Sequence, residues 1–75
     1  PLCTCGRLES VEHYLMFCPK YTQERQKMKH CLNILKVDLS MRNILGGGKF
    51  NIEIQLKIRD IATEFLIETG KIHDL

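Results

Sequence analysis

The sequence predicts an all-α fold: a small zinc-stabilised helical domain in which an N-terminal CCHC loop precedes three to four helices. Three observations carry that prediction. Apolar residues recur at helical spacing through the middle and the end of the chain. Helix-capping and helix-breaking residues punctuate those stretches. Four candidate metal ligands crowd into the first part of a chain of 75 residues, which is short enough to need a staple.

The elements follow in order. Pro1 to Glu9 reads as a turn-rich loop carrying two cysteines and Gly6. Ser10 is a good N-cap for a short helix from Val11 to about Phe17, and Pro19 ends it by pushing Cys18 out of helical geometry. A second helix starts near Lys20 or Tyr21 and runs to about Lys36, with Tyr21, Met28, Cys31, Leu32 and Leu35 on one apolar stripe. Asp38-Leu39-Ser40 caps a short third helix, Met41 to Leu45, which Gly46-Gly47-Gly48 stops. A phosphate loop is excluded there, because Gly48-Lys49 is followed by Phe50 rather than by a hydroxyl residue.

The last helix is expected from about Asn51 to Thr69, with Gly70 as its stop. Ile54, Ile58, Ile61, Ala62 and Phe65 form one apolar stripe, and Ile52, Leu56, Leu66 and Ile67 a second one turned well away. A strand over 50–58 is the competing reading, since Phe50, Ile52, Ile54, Leu56 and Ile58 alternate. Helical spacing that continues to Phe65 favours the helix. The organisation is one domain: a CCHC segment at 1–19, a basic helix and short helix at 20–45, a glycine hinge at 46–49 and an amphipathic helix at 50–70.

The chemistry is concentrated in C-x-C-x7-H-x4-C, formed by Cys3, Cys5, His13 and Cys18. A single zinc ion takes four nitrogen or sulfur ligands in a tetrahedron, so thiolate sulfurs must approach within about 3.8 Å. Gly6 is free to turn the loop sharply. His13 and Cys18 stand about 140° apart on an unbroken α-helix, at about 100° per residue. The break at Pro19 is therefore expected to swing the Cys18 thiolate back. A two-disulfide domain is the alternative, but a Cys3–Cys5 bridge would close a strained ring. Reduced thiolates on a metal imply an intracellular setting, nuclear or cytoplasmic. Cys31 is expected in the core, and His30 and His73 in solvent. With four protein ligands the site is closed to water, so no catalytic residue is assigned.

The net charge is +2, unevenly spread: residues 1–50 hold eight Lys/Arg against four Asp/Glu, and 51–75 hold three against five. A polyanion would meet the front half. No apolar run approaches the roughly 20 residues of a membrane span. Neither a membrane nor a small-molecule substrate is expected. The chain opens on Pro1 rather than Met, which reads as a piece of a longer polypeptide.

The run from Cys3 to Arg25, with Glu12-His13, Leu15, Cys18-Pro19 and Tyr21 as flanking features, resembles the cysteine–histidine motif near the C-terminus of non-LTR (LINE-type) retrotransposon polyproteins. Ile44-Leu45-Gly46 and Thr69-Gly70 are similar to later features of that region. The detailed likeness covers about a third of the chain. It implies a CCHC zinc-knuckle-like accessory of a reverse transcriptase, an RNA-directed DNA polymerase whose catalytic residues lie elsewhere. It also implies contact with template RNA or target DNA during target-primed reverse transcription. Arg7, Lys20, Arg25, Lys27 and Lys29 are the candidate phosphate contacts. Tyr14, Phe17 and Tyr21 are candidate stacking groups, with a core role favoured for Phe17 and Tyr21. The alternative function is a protein-interaction module that docks on the parent enzyme or a partner through the apolar last helix.

Overall fold

Ser10 begins the helical part of the chain as expected, its Oγ accepting from the His13 amide at 3.0 Å. The computed structural model describes residues 1–74; the side chain of His73, expected in solvent, lies outside the described residues. The described residues are mostly helical and contain no strand, only an isolated bridge between Leu2 and Leu8. A π turn spans His13–Phe17 and a 3-10 turn Pro19–Tyr21. They lead into α1 (Thr22–Ile34), α2 (Met41–Ile44) and α3 (Ile52–Thr69), and a last 3-10 turn covers Lys71–Asp74.

Each helix end has a local cause. Ser40 caps α2 by accepting from the Asn43 amide at 3.1 Å. Asn51 is the cap of α3 rather than its first residue, with Oδ1 accepting from the Ile54 amide at 2.9 Å. Gly70 closes α3 at φ 79°, a conformation that costs glycine nothing. The end of α1 is different. Lys36 takes φ 63°, its amide bonds to Asn33 O at 2.9 Å, and the Val37 amide bonds to Leu32 O at 3.0 Å. That is a Schellman closure with lysine where glycine is usual. It ends the α-helix two residues earlier than the periodicity suggested and turns Val37 into the core.

The strand alternative over 50–58 is not adopted. Helical geometry puts Ile58 and Phe65, seven residues apart, on the face that α3 packs against α1, and both are buried. With Tyr14, Leu15, Met28, Leu32 and Val37 they form the core. Burial of each large apolar side chain there contributes about 1.5–3 kcal/mol. Three rings meet at one end: Tyr14 lies 5.2 Å from both Tyr21 and Phe65, centroid to centroid. Tyr14 also hydrogen-bonds Thr69 near the end of α3, which ties the π turn to the last helix. The second stripe of α3 is not covered: Ile52, Leu56 and Ile67 remain exposed. No helix among the described residues is long and apolar enough to cross a membrane.

Candidate metal centre

The N-terminal loop folds back on itself before it meets the helices. Glu9 N bonds Pro1 O at 3.2 Å, Cys3 N bonds Arg7 O at 2.8 Å, and Gly6 N bonds Cys3 O at 2.9 Å. The tight turn over Cys3–Gly6 needs Gly6 at φ 94°, in the left-handed region. This turn points the Cys3 and Cys5 thiols to the same side, toward His13 and Cys18.

His13 and Cys18 converge by a route the sequence reading did not contain. Pro19 does force Cys18 into extended geometry, with φ −64° and ψ 120°. The residues before it, however, form a π turn rather than an α turn. The Cys18 amide donates to His13 O at 2.7 Å, an i→i+5 bond that sets residues five apart one above the other. The wider turn and the proline act together.

The Sγ atoms of Cys3, Cys5 and Cys18 and a ring nitrogen of His13 lie within 4.8 Å of one another, as the grouping of a single metal ion requires. Cys3 Sγ and Cys18 Sγ are 3.7 Å apart, close to the roughly 3.8 Å edge of a tetrahedron with sulfur ligands. Cys5 Sγ lies 3.2 Å from His13 Nε2. Cys18 is fully buried, Cys3 and His13 nearly so, and Cys5 is half-buried. Three sulfurs and an imidazole suit a borderline-soft divalent cation.

The surroundings favour sulfur anions unequally. The Cys5 backbone amide, donating to the Cys3 sulfur, holds that thiol down at about 6 against an ordinary 9.0, with His13 assisting. Burial pushes the Cys18 thiol up, against a lowering bond from the Lys20 amide. A metal ion would reverse that rise, because coordination deprotonates a thiol outright.

Arg25 is the element of this site that sequence reasoning missed. It was expected on a phosphate-binding face; instead its guanidinium turns inward. Nε donates to Leu15 O at 2.8 Å, one terminal nitrogen to Tyr14 O at 2.9 Å and the other to Cys18 O at 3.0 Å. The Tyr14 and Leu15 carbonyls lie in the π turn that stops at Pro19, and Cys18 O also accepts from the Tyr21 amide at 3.2 Å. Desolvation in this position lowers the Arg25 pKa. The sequence carries no signal for the contact beyond a long cationic side chain six residues past the proline.

The other basic candidates divide. Arg7, Lys20 and Lys29 are exposed, whereas Lys27 pairs with Glu68 at 2.6 Å. Phe17, favoured for the core, is 62% exposed, because the π turn rotates it away from the helices. Tyr14 is buried and Tyr21 half-buried in the ring cluster, so neither offers a free face for stacking. Cys31 lies apart from the four-residue cluster, half-buried between α1 and α3. His30 is exposed, as expected. Comparison with known protein families, with curated proteins and with solved structures finds no match to this chain.

Proposed function

We propose that this chain is a zinc-binding, non-catalytic accessory module of a retrotransposon reverse transcriptase, and that it engages template RNA or target DNA. The observation that carries the reading is the Cys3–Cys5–His13–Cys18 cluster, whose donor set and spacing suit one zinc ion. Four protein donors leave no position for a reacting water, so the ion's work is to hold the loop against the helices. Thiolates of this kind persist in the nucleus or cytoplasm.

Nucleic acid meets the loop and its flanks in this reading more than it meets α1. Phe17 presents an exposed ring one residue before Cys18, Lys20 follows two residues after it, and Arg7 sits in the loop itself. An aromatic face beside cations is the pairing that holds single strands. Arg25 contributes to the fold instead, and Lys27 is engaged by Glu68. Lys29 adds a peripheral charge.

The test loads the chain with zinc, confirms one ion per chain, and titrates single-stranded RNA and duplex DNA at two salt concentrations. Binding is expected to weaken steeply with salt. Phe17→Ala is expected to cost about 1–3 kcal/mol of single-strand affinity with the helical signal unchanged. A zinc-loaded chain that binds neither polymer at low salt would sink the proposal.

A second reading, a docking module for the parent enzyme or another protein, is favoured by one observation: the outer stripe of α3 stays exposed at Ile52, Leu56 and Ile67.

A further inference from the structure

Two shallow troughs of about 500 and 300 Å³ lie along α3 where α2 and the π turn meet it, and they share Ile44, Leu45 and Arg59. They form one surface, with Leu56 toward one end and Val11 and Leu66 toward the other. Much of it is apolar and open to solvent: Val11 is 60% exposed, Leu45 66% and Leu56 43%. Ile52 extends the same stripe one helical turn beyond Leu56. From Gln55 to Leu66 the surface follows about 16 Å of helix, or three turns. Exposed apolar side chains gathered beside a lone cation are the groups a partner's side chains can cover.

Arg59 is its single charged residue. The positions three and four away on the helix are Leu56, Gln55, Ala62 and Thr63, so no carboxylate is within reach along the helix. Glu53, Asp60, Glu64 and Glu68 all lie about 100° or more around the axis from it. Among the described residues Arg59 makes no side-chain hydrogen bond and no ion pair. The surface therefore has a defined electrostatic signature: apolar around Val11 and Leu66, mixed around Leu56 with Asn43 and Gln55, and one cation midway.

We propose that this surface docks an amphipathic protein helix of about three turns. Its leucine-type side chains fill the two troughs, and a carboxylate near its middle pairs with Arg59. Charge complementarity selects this partner over a basic helix, which Arg59 would repel. The proposal deepens the docking reading above and is independent of nucleic-acid binding at Phe17 and Lys20.

The experiment uses the whole zinc-loaded chain and three labelled synthetic helices of leucine, alanine and glutamine. They are identical except for glutamate, glutamine or lysine at the central position. Fluorescence anisotropy is expected to rank them glutamate, glutamine, lysine, with roughly two- to fivefold between the first two. Arg59→Glu is expected to invert the order, which a merely structural role for Arg59 would not do. The pair Leu45→Ser with Leu56→Ser should abolish binding of all three while leaving the circular dichroism and RNA affinity unchanged. Equal affinity for the three helices, lost in the serine pair, would overturn the carboxylate partner while leaving a docking face. Absence of binding by any helix would overturn both. A zinc-loaded chain that forms a dimer by sedimentation, broken by the same serine pair, would assign the surface to a second copy and overturn the proposal as well.

Discussion

The N-terminal loop with its π turn and the α1–α3 pair are held together by different physics. In the helical pair the buried groups are Met28, Leu32, Ile58 and Phe65, and apolar burial does the stabilising. In the loop the buried groups are Cys3, His13 and Cys18, and the apolar side chains Leu2 and Leu8 remain exposed. A loop of that kind has little hydrophobic reason to stay folded. In the proposed reading a metal ion on its sulfurs and the Arg25 donors on its carbonyls hold it in place. The two regions meet at Tyr14 and Leu15, which belong to the core, and at Arg25, which rises from α1 to bind the π turn.

The largest expected effect breaks the loop alone. Removing the proposed metal with a chelator, or introducing Cys18→Ser, is expected to unfold the loop of residues 1–9 while Tyr14 and Leu15 stay in the core, since binding energy of about 10–16 kcal/mol is folding energy in small zinc modules. Amide exchange should show α1 and α3 still protected while the loop exchanges. Uniform loss of protection would mean that the regions are one cooperative unit. Next comes the reverse cut, Phe65→Ala, expected to cost about 3–5 kcal/mol in denaturant unfolding and to leave no stable helical pair. Arg25→Ala tests the seam: it takes the guanidinium donors from the carbonyls of Tyr14 and Leu15, while Cys18 O keeps the Tyr21 amide, and should cost about 1.5–3 kcal/mol. Its metal affinity should fall with it, whereas a variant of an exposed cation such as Lys29→Ala should change neither. Lys36→Gly relieves a left-handed lysine and is expected to stabilise by about 0.5–1 kcal/mol, read as a raised Tm. Smallest is Lys27→Met, which removes the exposed pair with Glu68 and should leave the denaturation midpoint nearly unchanged.

Legibility followed the range of the interactions. Ser10, Ser40 and Gly70 act within one helical turn of their own position, and each does what its residue type suggested. The choice of helix over strand for α3 was also readable, because apolar spacing sums over many residues. Asn51 was placed inside the helix it caps, an error of one position. Phe17, Arg25 and Val37 were not readable. Their surroundings depend on how the π turn widens, which carbonyls it leaves unpaired and where the Schellman closure aims the chain.

By itself the sequence determined which side chains are ligand-like, that Ser10, Ser40 and Gly70 start or stop helical segments, and that the last helix has two apolar sides. These are consequences of residue chemistry and of a backbone with few allowed shapes. Only the tertiary structure decided that the ligand atoms gather within 4.8 Å, that Arg25 braces the fold, and which side of α3 stays open with Arg59 at its centre. Those outcomes rest on contacts between segments distant along the chain, and a local pattern cannot encode the positions of distant atoms.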